Sequence, residues 1–284
     1  MKIFMKQRVF ILLLTCLLTS LLWSVDDPKW ENTRGYKVIT PKNYDPKKKY
    51  PLILSLHGFT SNGAGQARFF PLADLAEKHG FVYSFPSGLE RSWNATNACC
   101  DWKDKHDDSA YLRGFILWAV EKFNVDKKRI YVTGLSNGGF MSYRMAMDHA
   151  DLITAIAPFA GVGYKDWPRQ PKNPVSVLHI HGTRDSTVKW KGGGIFSRRY
   201  PSAEENFKAW AKFNGCDKEV DVADEKIDLA QRVPGRETVI TRFKNKDGSV
   251  VTELWRVENG GHVTPPSREA RERIIKWLLS RSKK

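Results

Sequence analysis

The sequence Arg129-Ile-Tyr-Val-Thr-Gly-Leu-Ser-Asn-Gly-Gly139 decides the fold of this chain. Its β-branched apolar run from Ile130 to Thr133 predicts a buried strand. A helical pattern of apolar residues begins at Phe140, so Ser136 lies in a tight strand–turn–helix connection. Such a turn holds the serine in a strained conformation, and it needs glycines on both sides because a Cβ there would collide with the opposite arm. The pattern predicts that Ser136 is a nucleophile.

The base that would activate this serine has to lie further along the chain. A serine hydroxyl needs a base, the base needs an acid, and after this type of turn the acid precedes the histidine. Four histidines follow Ser136, and only His262 lies in a loop between a predicted strand and the last helix. His149 ends the helix of the turn, while His179 and His181 alternate with apolar residues in a strand. We therefore predict that His262 is the base.

The acid is predicted from the loop that follows the apolar strand at residues 177–180. That loop reads His181-Gly-Thr-Arg-Asp185, which places Asp185 just beyond the carboxyl end of the strand. Asp217 and Asp221 are alternatives, but they follow a helix and no strand ends beside them. Asp185 is therefore the predicted acid, and His181 is interpreted as a residue that lines the pocket or ties this loop.

A pair of backbone amides is expected to stabilise the oxyanion. The apolar run at residues 51–56 predicts a strand, and it ends in His57-Gly58-Phe59-Thr60. The second oxyanion donor in folds of this kind comes from the loop at this place. We expect the N–H of Phe59, or that of Thr60, to converge with the N–H of Asn137.

The N-terminal segment predicts export. Basic residues at positions 2, 6 and 8 precede an apolar stretch at 9–23, the pattern of a secretory signal, although an uncleaved anchor is the alternative. We expect residues 1–24 to be a signal peptide, residues 25–284 to be the catalytic domain, and the protein to be secreted or periplasmic. Contact with a membrane would be transient, through the signal segment alone.

Composition fits one large core and a basic surface. The chain has 284 residues, of which 41% are hydrophobic, and a formal net charge of +15. Its basic residues are scattered and accompany no nucleic-acid-binding signature, so we expect no nucleic acid partner. No spacing of Cys and His resembles a zinc site, and we expect no metal.

The cysteines predict a disulfide in an exported protein. Cys99 and Cys100 are adjacent, and a bond between neighbours is geometrically strained. We therefore expect one of the two, with the choice left open, to pair with Cys216.

The order of elements predicts an α/β fold. Apolar strands alternate with helical patterns, which indicates a mostly parallel sheet with helices on both faces in a single domain. One helix is predicted over residues 63–79, and a hairpin around residues 247–248. The three glycines at 192–194 are interpreted as a flexible loop.

Aromatic residues are candidate substrate contacts. The long loop at residues 86–107 contains Trp93 and Trp102, and Trp190 follows Asp185 closely. Their ring faces could stack on a sugar or a feruloyl-type ring, with Thr60 beside them, or they could simply fill space under loops.

Taken together, these segments resemble the secreted polyhydroxybutyrate depolymerase-like esterases, the group that includes feruloyl and acetylxylan esterases of carbohydrate esterase family 1. The matching segments are His57-Gly58-Phe59-Thr60, Trp93-Asn94 with Ala98-Cys99-Cys100, Asp107-Asp108, Gly134-Leu-Ser136-Asn-Gly-Gly139, His181-Gly-Thr-Arg-Asp185 with Val188, Pro201-Ser-Ala-Glu-Glu205 with Asn214-Gly-Cys216, and Gly260-Gly-His262. The chain departs from the family pattern at Lys189-Trp190, where Pro-Tyr is common, and at Val263-Thr264-Pro265, where Trp-Pro is common.

The resemblance implies an α/β-hydrolase fold and a Ser136–Asp185–His262 triad that needs no metal or organic cofactor. It implies a secreted serine esterase acting on small-molecule or polysaccharide-linked esters: feruloyl or acetyl esters in polysaccharide degradation, or short hydroxyalkanoate esters. We expect the protein to be a monomer. The alternatives are a serine peptidase of the same fold and a non-catalytic polysaccharide-binding module on this scaffold.

Overall fold

The computed structural model of the protein describes residues 34–100, 106–195, 198–220 and 226–284. The predicted signal segment at 1–24 and the candidate contact Trp102 lie outside the described residues, and so does Asp221. Among the described residues, no helix combines the length and the hydropathy that a membrane span requires.

Strands and helices alternate through most of the chain. The strands are β1 Val38–Ile39, β2 Tyr50–Leu56, β3 Val82–Ser84, β4 Val125–Leu135, β5 Ala155–Phe159, β6 Ser176–Gly182, β7 Gly193–Ile195, β8 Arg198–Tyr200, β9 Lys218–Val220, β10 Lys226–Ile227, β11 Thr238–Lys244 and β12 Val251–Val257. The helices are α1 Gly63–Phe69, α2 Ala73–His79, α3 Asp108–Lys122, α4 Asn137–Asp148, α5 Ala203–Phe213 and α6 Arg268–Leu279.

One large sheet runs through the described part of the molecule in the order β1-β3-β2-β4-β5-β6-β12-β11-β10, with β9 paired to β11. The six central strands β3, β2, β4, β5, β6 and β12 are parallel to one another. Antiparallel strands close both edges. The parallel strands therefore bring their carboxyl ends, and the loops that follow them, to one edge of the sheet.

Two apolar layers cover the two faces of this sheet. Alternate residues of β2 point to opposite faces, so Leu52 and Leu54 join one buried cluster while Ile53 joins the other. The first cluster contains residues of α3 and α4, and the second contains residues of α2 and α6. The fold is the α/β fold that the sequence predicts, with one domain in the described residues.

Three elements differ from the sequence-based predictions. The helix predicted over 63–79 is two helices, α1 and α2, because Pro71 lies between them and cannot continue the hydrogen bonding of a helix. The glycines at 192–194, interpreted as a loop, enter a small hairpin in which β7 pairs with β8. The short edge strands β9 and β10 were not predicted, since two or three residues carry no periodic signal.

The predicted pairing of the cysteines is wrong. Cys99 and Cys100 are bonded to each other, and Cys216 is a free, buried thiol. Cys99 lies beside Asn137 at the carboxyl edge of the parallel strands, whereas Cys216 contacts Thr252 near the start of β12. The two positions are at opposite edges of the sheet, so no disulfide can join them.

Candidate active site

The turn between β4 and α4 holds Ser136 in a backbone conformation that residues other than glycine rarely adopt. Its backbone angles are φ 54° and ψ −117°, and its N–H donates to Phe159 O at 2.8 Å. A Cβ on Gly134 would lie 2.5 Å from Gly138 O, and one on Gly138 would collide with the carbonyl of Leu56. The two glycines are therefore required by the close approach of the two arms of the turn and of β2.

Ser136, His262 and Asp185 form a continuous line of hydrogen bonds. His262 Nε2 lies 2.9 Å from Ser136 Oγ, and His262 Nδ1 lies 2.8 Å from Asp185 Oδ2. The carboxylate can only accept, so Nδ1 carries the ring proton and Nε2 is free to accept the hydroxyl proton of Ser136. The structure thus brings together all three residues that the sequence predicts for these roles.

The ends of three parallel strands at one edge of the sheet position these side chains. Ser136 follows β4, Asp185 follows β6, and His262 follows β12, which is parallel to β6. The loops of the acid and the base are tied to each other, because Arg184 N donates to Gly260 O at 2.9 Å. Strand ends at the same edge of the sheet and one loop-to-loop hydrogen bond therefore account for the convergence.

Asp185 is a buried carboxylate with several hydrogen-bond donors. Its Oδ1 accepts the amides of Thr187 and Val188, each at 2.8 Å, and its Oδ2 lies 3.3 Å from His181 Nε2. Burial alone would raise the pKa of Asp185, but the hydrogen bonds from His181 and His262 outweigh burial and hold its pKa well below the ordinary value. A permanently charged carboxylate can stabilise an imidazolium beside it.

The loop after β2 approaches Ser136 as an oxyanion site requires. A Cβ on Gly58 would lie 3.6 Å from Ser136 Cβ. In the described part of the chain, the Phe59 amide has no hydrogen-bond partner, whereas the Thr60 amide donates to Arg91 O at 2.9 Å. Asn137 is the first residue of α4, where amides have no partner within the helix. This geometry favours Phe59 over Thr60 as the second donor.

The sequence-based interpretation of Trp93 as a substrate contact is corrected by its burial. Its ring is fully buried, its Nε1 donates to His57 O at 3.1 Å, and its centroid lies 5.0 Å from that of the His57 ring. The Asn137 side chain also holds Trp93 by both backbone groups, at 2.7 and 2.8 Å. Trp93 therefore anchors the loop around residues 88–95 beneath the site and exposes no ring face to a substrate.

The other candidate contacts lie near the triad. Trp190 is half-buried, with its ring edge-on to His181 at a centroid distance of 5.8 Å. Thr60 is exposed beside the oxyanion loop. Two exposed apolar side chains beside the site, Phe59 (50% exposed) and Val263 (59% exposed), are not predicted from the sequence as substrate contacts. Exposure depends on how loops pack, so only the positions of these residues beside predicted site residues could have indicated them.

The space beside His262 is a narrow apolar cleft, which Phe69, Leu135, Phe159 and Thr264 help to line. A larger cavity, of about 500 Å³, lies at the opposite edge of the sheet beside the C-terminal residues 281–284. Because that cavity contains none of the three converging residues, we place the site at the cleft.

Comparison with known proteins shows the family to which this chain belongs. Residues 28–206 match the model of the Esterase family, described as "Putative esterase". Feruloyl esterase B of Piromyces equi is 30% identical over 235 residues, which cover 78% of this chain and 41% of that protein. Poly(3-hydroxyalkanoate) depolymerase C of Paucimonas lemoignei is 24% identical over 240 residues, 76% of this chain and 55% of that protein.

The match to these relatives is partial in length. The chain spans about half, or less, of the curated relatives named above. Among solved structures, the acetyl xylan esterase from Aspergillus awamori superposes with a TM-score of 0.61 at 17% identity, over 87% of this chain and 94% of that one. This likeness in fold is of the α/β-hydrolase type. The family match covers more than half of the sequence, and the chain belongs to the Esterase family.

Proposed function

We propose that this protein is a secreted serine esterase that hydrolyses carboxylic esters through an acyl-enzyme on Ser136. The observation that carries the proposal is the hydrogen-bonded line from Ser136 Oγ through His262 to Asp185. A serine held in a strained turn, with a histidine at 2.9 Å and a buried carboxylate behind it, is the arrangement that nucleophilic acyl transfer needs.

The first step would be attack on the ester carbonyl. His262 Nε2 takes the proton from Ser136 as Oγ bonds to the carbonyl carbon, and Asp185 stabilises the imidazolium. When the tetrahedral intermediate collapses, His262 gives that proton to the leaving alcohol. The second step repeats the chemistry with water, which His262 deprotonates to release the acid and restore Ser136.

The amides of Phe59 and Asn137 would hold the oxyanion in both steps. Each such donor is worth on the order of 3 kcal/mol of transition-state stabilisation in comparable sites. The Phe59 amide lies on the loop that passes Ser136 Cβ closely, and the Asn137 amide lies at the start of α4, where the helix dipole also favours negative charge.

The substrate class is proposed from the relatives and from the surroundings of the site. Relatives of this chain are named for feruloyl ester, acetylxylan and hydroxyalkanoate hydrolysis. The exposed Phe59 and Val263, with the half-buried Trp190, offer apolar surface beside the triad. We propose feruloyl or acetyl esters on plant polysaccharide, or short hydroxyalkanoate esters, with export through the signal pattern at residues 1–24.

A substrate panel tests this proposal. Purified protein would be assayed with p-nitrophenyl acetate, p-nitrophenyl butyrate, methyl ferulate, acetylated xylan and hydroxybutyrate oligomers. We expect hydrolysis by the wild type and none above background by Ser136→Ala. Ser142→Ala is the matched control, because it removes a buried serine hydroxyl that donates to Gly138 O within α4. Equal activity of the wild type and Ser136→Ala, or a silent panel with folded protein, would reject the serine esterase.

A further inference from the structure

Three buried side chains continue the line of hydrogen bonds behind Asp185, away from Ser136. His181 Nε2 lies 3.3 Å from Asp185 Oδ2, His181 Nδ1 lies 3.2 Å from His179 Nε2, and His179 Nδ1 lies 2.7 Å from Tyr143 Oη. Tyr143 and His179 are fully buried, and His181 is 1% exposed. The proposed mechanism uses none of these three groups.

The partners of these groups fix where each proton lies. His181 Nε2 is 2.7 Å from Val188 O, which can only accept, and this contact favours the tautomer of His181 with its proton on Nε2. His181 Nδ1 must then accept, and His179 Nε2 is the donor that faces it. His179 Nδ1 accepts in turn from the Tyr143 hydroxyl. Burial, and then the neighbouring His181, hold the pKa of His179 well below its ordinary value, so this ring stays neutral.

With the hydrogen bonds in this direction, the Nε2 proton of His181 lies between Val188 O and Asp185 Oδ2. The carboxylate then has the amides of Thr187 and Val188 on Oδ1, and the rings of His262 and His181 on Oδ2. If His181 carried its proton on Nδ1 instead, the Nε2 lone pair would face two acceptor oxygens. The tautomer of His181 therefore decides whether its Nε2 attracts Asp185 Oδ2 through a proton or repels it through a lone pair.

We propose that Tyr143 and His179 lock His181 in the Nε2–H tautomer, and that His181 thereby acts as a positioning residue for Asp185. This inference rests on the proposed function of the triad. His181 does not touch the reacting atoms; it orients the carboxylate that orients His262. The sequence context alone, two histidines in an apolar strand, is equally consistent with core packing.

Matched substitutions of His179 test the lock. His179→Leu removes both the donor to His181 and the acceptor for Tyr143, so we expect kcat to fall on the order of tenfold with KM within twofold of wild type. His179→Gln keeps a donor N–H and an acceptor oxygen, and we expect it to restore kcat to within about threefold. His149→Gln is the control, because His149 is half-buried and bonds Ser109, away from Asp185.

A second measurement reads the tautomer without relying on activity. In ¹⁵N-labelled wild type, the ring nitrogen shifts and couplings of His181 should report a protonated Nε2 and a bare Nδ1. In His179→Leu we expect that signature to be lost, or replaced by signals of both tautomers. The remaining resonances of the variant should still be those of a folded protein. The spectrum of the wild type can be recorded even if His179→Leu does not fold.

The outcomes separate the lock from the proposed function. An Nδ1–H tautomer of His181 in the wild type, or wild-type kcat in a folded His179→Leu, would overturn the lock. Equal loss of kcat in the Leu and Gln variants would also overturn it, since packing alone would then explain the effect. A wild type that hydrolyses no ester, with an Nε2–H signature that is lost in His179→Leu, would reject the proposed function and keep the lock.

Discussion

At Asp185, burial and hydrogen bonding have opposite effects on the pKa of the carboxyl group. Its side chain is fully buried, yet four hydrogen-bond donors surround its two oxygens. The unfolded chain would bind a proton on Asp185 near the ordinary pKa of an aspartate, about 4, whereas the folded protein binds that proton only at lower pH. Folding is therefore linked to the charge of this one group.

Removing the charge of Asp185 should make the free energy of unfolding depend less on pH in the acid range. Because the unfolded state binds more protons on Asp185 below about pH 4, the free energy of unfolding of the wild type falls there as the pH falls. We expect Asp185→Asn to lack this part of the fall, a difference on the order of 2 kcal/mol between pH 5 and pH 2. Urea unfolding at several pH values measures it. Parallel curves for the two proteins would contradict the buried, charged carboxylate.

Residues whose role follows from chain order could be predicted from sequence. Ser136, Asp185 and His262 each follow a strand that the apolar pattern reveals, so their meeting at one edge of the sheet was foreseeable. The role of Trp93 could not be predicted, because a tryptophan can stack on a substrate only if its ring face is exposed, and the sequence does not show that it is buried. The chain of tautomers behind Asp185 was hidden for the same reason: it needs distances between α4 and β6.

At the scale of elements, the turn between β4 and α4 depends on how closely α4 approaches β2. A Cβ on Gly138 would meet the carbonyl groups of Leu56 and His57, which are backbone atoms and cannot move aside independently. Helix α4, which begins next to Ser136, therefore packs directly against β2, and the loop after β2 contains the Phe59 amide.

Gly138→Ala should separate these two elements. We expect a loss of about 3 kcal/mol in the free energy of unfolding, together with loss of ester hydrolysis, because the helix has to shift outward. Gly35→Ala is the control: the nearest atom to its added Cβ would be Ser87 Oγ at 4.0 Å, and we expect a change within about 0.5 kcal/mol. Equal stability of the two variants in denaturant titrations would refute the close approach.

Element predictions succeeded where apolar patterns were long and failed where they were short. The strands predicted from the apolar runs at residues 51–56 and 177–180 are present as β2 and β6. The hairpin of β7 and β8 rests on three residues per strand and was missed. The break between α1 and α2 was readable from Pro71, but the helical spacing on both sides concealed it.

In the whole molecule, the cysteines of the described residues lie at two opposite edges of the large sheet. The bonded pair Cys99–Cys100 lies at the edge that carries Ser136, and the free Cys216 lies at the other edge. Burial raises the pKa of the Cys216 thiol, so it has little reactive thiolate in the folded protein. The sequence indicated a disulfide but could not indicate which edge of the sheet each cysteine occupies.

Thiol chemistry distinguishes this arrangement from the pairing expected from sequence. We expect a non-reduced digest to contain Cys99 and Cys100 in one peptide, two hydrogens lighter than its dithiol form. Cys216 should resist alkylation in the folded protein and react once the protein is unfolded without reductant. A peptide in which Cys216 is bonded to Cys99 or Cys100 would contradict the structure.

Covalent trapping tests whether Ser136 is the nucleophile that His262 and Asp185 activate. A phosphonate ester that mimics an acyl group would be incubated with the protein, and peptide mass spectrometry would locate the adduct. We predict stoichiometric labelling of Ser136 in the wild type, slowing at least about a thousandfold in His262→Ala, and no label in Ser136→Ala. Labelling at another residue, or equally fast labelling without His262, would contradict the account.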